Sequence, residues 1–307
     1  MPASRAVGAP IAKAMTLALA LAAGLALAAS PSQQPTFRTG VQTVAIHATV
    51  SDAEGRLVTD LPRERFQVLD NGKPVEITTF SNEDQPLTAA LLLDMSSSMY
   101  PSVLRVREST LRFIEALRDG DRVRIGTFGD EIALSPLLTG DKAQLTRIAR
   151  EELWPGGSTP LWGAMYAAMG SLAQETGRRV VVVLSDGMSS GSVPGWPGDF
   201  DDVRKRATTD GYMLYVIGME GVFQSDDVAR EFHELIEDTG GGHLMVRRDD
   251  DLKATFVRVV EELRRQYLLG FSPGAGDGRT HRLEVKVSGD GLKARARTSY
   301  VAGRATP

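Results

Sequence analysis

The chain of 307 residues contains no cysteine. That absence excludes disulfides, thiolate-bound zinc, iron–sulfur clusters and a thiol nucleophile together. Histidine is almost as scarce. The four present (His47, His233, His243, His281) include no pair at i, i+4, so an H-E-x-x-H metalloprotease helix is absent. A dominant charge is also missing: 35 Lys+Arg stand against 39 Asp+Glu, a net charge of −4. That balance argues against a nucleic-acid binder working through a basic surface. Beyond the first 30 residues no apolar run is long enough to span a bilayer. Any metal is therefore expected to be held by oxygen. The length does suffice for a sizeable core.

Arg5 and Lys13 precede an apolar run from Ala14 to Ala29, and Ala26-Leu27-Ala28 places small residues two apart. A positive start, a short apolar stretch and an A-x-A site read as a secretory signal peptide over residues 1–28; an uncleaved membrane anchor is the alternative. The mature chain is expected to be exported, to the periplasm or the cell surface, and to lack a membrane span. Removing Arg5 and Lys13 leaves 33 basic against 39 acidic residues, a net charge of −6. Residues 29–35 form a polar, proline-containing linker.

From 36 to 86 the pattern is β. Val44, Ile46, Ala48 and Val50 alternate with Ala45, His47 and Thr49. Phe66–Leu69 and Val75–Phe80 flank Asp70-Asn71-Gly72-Lys73, and Asn-Gly between two such runs predicts a hairpin, because both turn residues tolerate positive φ. From 87 to 266 strands alternate with helices. Ala89–Leu93, Arg122–Phe128, Arg179–Ser185, Tyr212–Gly218 and Gly241–Val246 read as strands. Helical spacing occupies about 103–117, 142–153, 161–174, 200–209, 226–239 and 251–266. The continuous apolar runs predict strands buried on both faces, hence a doubly wound, mostly parallel α/β sheet. From 267 to 303 the β pattern returns: Leu283, Val285 and Val287 alternate, and Ala294, Ala296, Thr298 and Tyr300 alternate back. The two β units are each too small to stand alone, so they are expected to pair into one small β-sandwich. Lys293, Arg295 and Arg297 are expected to form a solvated face of it.

Three loops carry the candidate chemistry. Asp94-Met95-Ser96-Ser97-Ser98 follows the first buried strand, Gly156-Gly157-Ser158-Thr159-Pro160 precedes a helix, and Ser185-Asp186-Gly187 ends the valine-rich strand. Ligands of open α/β sheets collect outside the carboxyl ends of strands. The loops offer two carboxylates (Asp94, Asp186) and three hydroxyls (Ser96, Ser98, Thr159), a hard-oxygen set suited to Mg²⁺, Mn²⁺ or Ca²⁺. Taken singly, each loop also reads as a helix cap or an ordinary turn; their joint occurrence in order is what favours a metal.

The D-x-S-x-S, the Thr in a glycine-rich loop and the strand-end D-G together resemble the metal-ion-dependent adhesion site of von Willebrand factor A domains, over roughly 88–266. The signal peptide, the flanking β units and the segments Tyr267–Phe271 and Ala296–Tyr300 give a looser resemblance to exported bacterial proteins of the VWFA-related group. The first resemblance implies that Ser96 and Ser98 ligate the ion directly, Thr159 directly or through water, and Asp94 and Asp186 mainly through waters. It implies a divalent cation, Mg²⁺ first, with an open position for a Glu or Asp of a protein partner. The last helix would be able to relay occupancy to the β unit. The expected function is metal-dependent protein binding of the adhesion or assembly type, without catalysis.

A metal-dependent phosphoesterase or hydrolase at the same site is the alternative. A haloacid-dehalogenase-like phosphatase needs a second Asp two residues after the nucleophile, where this chain has Ser96. Gly187-Met188-Ser189-Ser190-Gly191 matches G-x-S-x-G, but the proline- and glycine-containing stretch 192–198 that follows cannot supply the helix a nucleophile elbow requires. Trp196 in that stretch is read equally as a partner contact or a loop anchor. The acids 199–202 and 249–251 are read as helix caps rather than a second metal site.

Overall fold

The computed structural model describes residues 43–189, 198–219, 226–247, 251–274 and 276–303. The leader, the linker, Trp196, and Asp249 and Asp250 lie outside the described residues. In chain order the strands and helices are β1 (Val44–Ser51), β2 (Phe66–Asp70), β3 (Lys73–Val75), β4 (Thr79–Ser81), β5 (Thr88–Asp94), α1 (Val103–Ala116), β6 (Arg122–Phe128) and β7 (Ile132–Leu134). Then follow α2 (Lys142–Glu151), α3 (Leu161–Ser171), β8 (Arg179–Ser185), α4 (Phe200–Asp210), β9 (Tyr212–Met219), α5 (Asp226–Thr239) and β10 (Gly242–Val246). The chain continues with α6 (Leu252–Arg264), β11 (Tyr267–Phe271), β12 (Thr280–Val287), β13 (Lys293–Arg295) and β14 (Ser299–Val301).

The central sheet runs β10-β9-β8-β5-β6-β7, parallel except for the edge strand β7. Its strands are apolar on both faces because both are covered. Leu91, Leu93, Val180 and Val182 pack on α1, α2 and α6 through Val106, Phe113, Leu145, Phe256 and Val259. Ala90, Leu92, Val181 and Val183 pack on α3, α4 and α5 through Met165, Val203 and Phe232. β5 is the first strand of the sheet and lies between β6 and β8. Strand order therefore reverses between β5 and β8, which opens a crevice at their carboxyl ends.

The outer β units interleave. One sheet runs β13-β1-β11-β4 and the other β14-β12-β2-β3, so each takes two strands from either side of the α/β domain. Their shared core holds Ile46, Ala48, Phe66, Val68, Tyr267, Leu269, Phe271, Leu283 and Tyr300. The expected sandwich is present. The Asn71-Gly72 hairpin forms, with φ of 49° and 78° at its two turn residues.

Three expectations are corrected. Val75–Phe80 is not one strand: 73–75 pairs with β2, Ile77 enters the core, and 79–81 pairs with β11 in the opposite sheet. The returning stretch 294–300 splits likewise, 293–295 joining β1 and 299–301 joining β12. Sandwich corners are made by chain that changes sheets, and alternation survives the change. Lys293, Arg295 and Arg297 are not a solvated face: Lys293 is exposed, but Arg295 is half-buried in an ion pair with Glu262, and Arg297 is half-buried beside Gly211.

At the neck, where the chain passes from β4 into the α/β domain and leaves it toward β11, Asp121 acts as a clamp. Its carboxylate accepts from the backbone N–H of Leu87 and of Arg118, each at 2.8 Å, and pairs with the buried Arg264. Arg264 also donates to the Ala116 carbonyl, so first strand, first helix and last helix meet on one side chain.

Candidate functional site

Asp94 is the last residue of β5 and fully buried. The chain then turns so that the Ser96 N–H donates to Asp94 Oδ1 at 2.9 Å, while Ser185 at the end of β8 donates its hydroxyl to Asp94 Oδ2 at 2.7 Å. Both bonds fix the carboxylate's rotamer. Ser96 precedes a short 3-10 turn, Ser97–Ser102, and its Oγ lies 3.1 Å from the Oγ of Ser98. Ser96 is buried and Ser98 exposed, so the hydroxyl pair leads from the interior to solvent.

The Thr159 loop is held against this turn. Gly156 N–H donates to the Met95 carbonyl at 2.7 Å, Ser97 N–H donates to the Gly157 carbonyl at 3.2 Å, and Gly157 N–H donates to Ser97 Oγ at 3.1 Å. Gly157 needs its missing side chain twice: φ is +84°, and a Cβ would collide with the carboxyl of Asp130. Thr159 itself is buried. Asp186, next to Ser185, is buried, and its Oδ1 accepts from the Met188 N–H at 3.3 Å.

Asp94 at the end of β5 and the four other candidate residues beyond strand ends thus stand at the carboxyl edge of the sheet. Asp94, Ser96 and Ser98 are linked by short contacts, and Asp186 lies close enough to act electrostatically on Asp94. Burial, and then the charge of Asp186, push the Asp94 carboxyl above its ordinary range against the pull of Ser96 and Ser185. Among the described residues neither Asp94 nor Asp186 forms an ion pair with Lys, Arg or His. Nor do they contain a cluster of three or more His, Cys, Asp and Glu of metal-holding kind. A cation therefore fits here by the donor set: two buried, uncompensated carboxylates beside hydroxyls that keep one face open.

Sequence reasoning missed three contributors. Ser185 reads in the sequence only as a strand end, although a hydroxyl closing a valine-rich strand is itself a signal. Ser97 ties two loops together, and Asp130 packs against Gly157 from the loop after β6. Asp199 and Asp251 do cap α4 and α6, as expected, accepting from Asp202 and Lys253 N–H.

These features define the class: a doubly wound α/β domain with an oxygen-lined crevice at its strand switch point. The sequence profile of the von Willebrand factor type A domain matches residues 90–258, more than half of the chain. The chain belongs to that family. Among solved structures, a von Willebrand factor type A protein from Catenulispora acidiphila matches 86% of this chain and 76% of its own, at 13% identity and a TM-score of 0.50. An aerotolerance-related membrane protein from Bacteroides fragilis matches 58% of this chain and 98% of its own, at 17% identity and a TM-score of 0.45. The vWF domain of the type V pili tip protein Mfa5 from Porphyromonas gingivalis matches 58% and 95%, at 15% identity and a TM-score of 0.45. At such identities the likeness is one of fold. No curated protein matches the sequence. No helix among the described residues is long and apolar enough to cross a membrane.

Proposed function

We propose that this is an exported, divalent-metal-dependent protein-binding module without catalysis. The observation that carries the reading is the pair of buried carboxylates, Asp94 and Asp186, left among the described residues without a cationic partner beside the Ser96–Ser98 hydroxyls. Ser96, Ser98 and Thr159 would hold the cation, and Asp94 and Asp186 would balance its charge. A bound Mg²⁺ supplies an electrophilic position that a partner's Glu or Asp can occupy. Ser185 and the Ser96 N–H hold Asp94 in place for that role. The same loops and the first turn of α1 expose large apolar side chains: Tyr100 and Leu104 after Ser98, Trp154 before Gly156, and Met188 after Asp186. Exposed apolar side chains around a polar centre suit a protein partner better than a small substrate. Export rests on the leader-like residues 1–28.

Calorimetric titration of Mg²⁺ into chelator-stripped protein tests the reading. One saturable site is expected, with a stabilisation of about 2.7 kcal/mol at a hundredfold excess over Kd. Asp94→Ala and Ser96→Ala/Ser98→Ala should lose both. No binding by the wild type would overturn the metal site, and phosphate- or carboxyl-ester turnover lost in Asp94→Ala would replace the binding module by a hydrolase.

A further inference from the structure

A second cleft lies at the opposite edge of the central sheet. Thr88, Arg179 and Tyr212, the first residues of β5, β8 and β9, line it. At about 3.3 Å per residue, the length of β5 puts the cleft roughly 20 Å from the carboxyl edge. Its other wall comes from the sandwich: His47 of β1, Leu268 of β11, and Arg297 and Tyr300 near the C-terminal end. The cavity measures about 630 Å³, within the range of small-molecule sites. Thr43, Ala45, Thr209 and Asp210 at its mouth are exposed.

Three arginines line this cavity, and among the described residues none of them forms an ion pair, Asp121 acting on Arg178 only at a distance. Arg178, only 9% exposed, donates to the Leu263 carbonyl, to Gln266 Oε1 at 2.8 Å and to the Pro86 carbonyl at 3.5 Å, all neutral acceptors. Arg179 stacks over the Tyr212 ring at 4.3 Å and donates to the Tyr212 hydroxyl and the Asp210 carbonyl. Arg297 donates its Nε–H to the Ser299 carbonyl at 2.8 Å. Among the described residues, the buried Nε atoms of Arg178 and Arg179, and Nδ1 of His47, have no hydrogen-bond partner. The two carboxylates at the cavity are committed elsewhere: Asp238 to Arg204 at 2.7 Å and Asp210 to Arg206 at 3.8 Å. Burial lowers Arg178 and Arg297 to about 10, so both stay charged at neutral pH. His47 is pushed down to about 3, by burial and then by Arg178 and Arg297, and stays neutral.

We propose that this cleft binds a small molecule through a phosphate or carboxylate group held by Arg178, Arg179 and Arg297. Guanidinium forks match both oxyanions bidentately. Burying such charges unpaired is unfavourable, and an anion between them removes that penalty. The site is independent of the metal reading, because it shares no residue with the carboxyl edge.

Isothermal titration of inorganic phosphate and of citrate into the full chain, at constant ionic strength set with chloride, tests it. Saturable one-to-one binding is expected for at least one probe, and the tighter of the two identifies the group recognised. Arg297→Gln and Arg179→Gln should each weaken it tenfold or more. Arg112→Gln, an exposed arginine on α1, should leave it unchanged. If Arg297→Gln fails to fold by circular dichroism, Arg179→Gln decides alone, since Arg179 sits half-exposed at the rim. No saturable heat above the chloride control, or equal affinity in the cavity variants and Arg112→Gln, would overturn the proposal.

Discussion

Replacing Asp121 by alanine tests how the α/β domain is held at its neck. The substitution removes the acceptor of two backbone N–H groups, of Leu87 and of Arg118, and, among the described residues, the only carboxylate paired with Arg264. Arg264 is 4% exposed and Leu87 fully buried, so water cannot readily replace what is lost. Removing one partner of a buried ion pair is destabilising by about 3–5 kcal/mol, chiefly because the other charge stays buried. Taking about 4 kcal/mol, and about 2–4 °C per kcal/mol for a domain of this size, the melting temperature should fall by about 8–16 °C. Asp121→Asn keeps one carbonyl acceptor and should fall between wild type and Asp121→Ala. In Asp121→Ala/Arg264→Met the stranded charge is gone, so part of the loss should be recovered. Urea unfolding followed by circular dichroism measures all four proteins. The reasoning fails if Asp121→Ala lies within about 1 kcal/mol of wild type, below the usual penalty for a stranded buried charge, or if the double variant is no more stable than Asp121→Ala.

Three further outcomes are expected. Gly157→Ala forces a Cβ into a left-handed position against Asp130, a strain of about 1–2 kcal/mol, and should weaken Mg²⁺ binding measured by calorimetry; Asp130→Ala added to it should restore part of the affinity. His281 is raised above its ordinary value chiefly by its hydrogen bond to Asp70. Its stabilising contribution is therefore full below the unfolded value and lost as pH rises through the folded one. The urea midpoint should drop more between pH 6 and pH 8 in wild type than in His281→Gln. Asp94 is a carboxyl raised by burial, so its contribution in chelated protein is present at low pH and fades as pH rises through its folded value. Asp94→Asn should flatten that profile between pH 4 and pH 7, and Mg²⁺ should bind wild type more tightly at pH 7 than at pH 5.

The parts of the fold legible in the sequence are those written within one element. Ala89–Leu93 and Val180–Leu184 announce two-faced strands because every residue is apolar, and Asn71-Gly72 announces its turn because few other pairs tolerate two positive φ values. The switch of sheets at 76–78 was not legible. Its cause is the distant Gly270 carbonyl, which accepts the Thr78 N–H at 2.7 Å. The short edge strand β7 escaped for the same reason, since Ile132–Leu134 is a strand only beside β6. At the site, the spacing of Asp94, Ser96 and Ser98 was visible within five residues, and order along the chain placed Thr159 and Asp186. Ser185 and Asp130 were not, because each acts on a residue far away in sequence.

The interleaved sandwich has a consequence for the order of events during synthesis. Thr49 and Gln266 bond across a separation of 217 residues. At about 5–20 residues per second, β1 waits roughly 10–40 s for its partner strand to be made. The strands of the central sheet all lie within residues 88–246, and its last covering helix ends at Arg264, so the inner domain can be complete before then. Once complete, it brings Leu87 and Arg264 together at Asp121. A closure over most of the chain then shrinks to one over a few residues. That is about five halvings of loop length, worth about 3 kcal/mol in chain entropy. The sandwich is thus the dependent partner, assembled last and lost first when the inner domain opens. A nascent chain halted after Arg264 would hold a whole central sheet and only half the strands of each outer one.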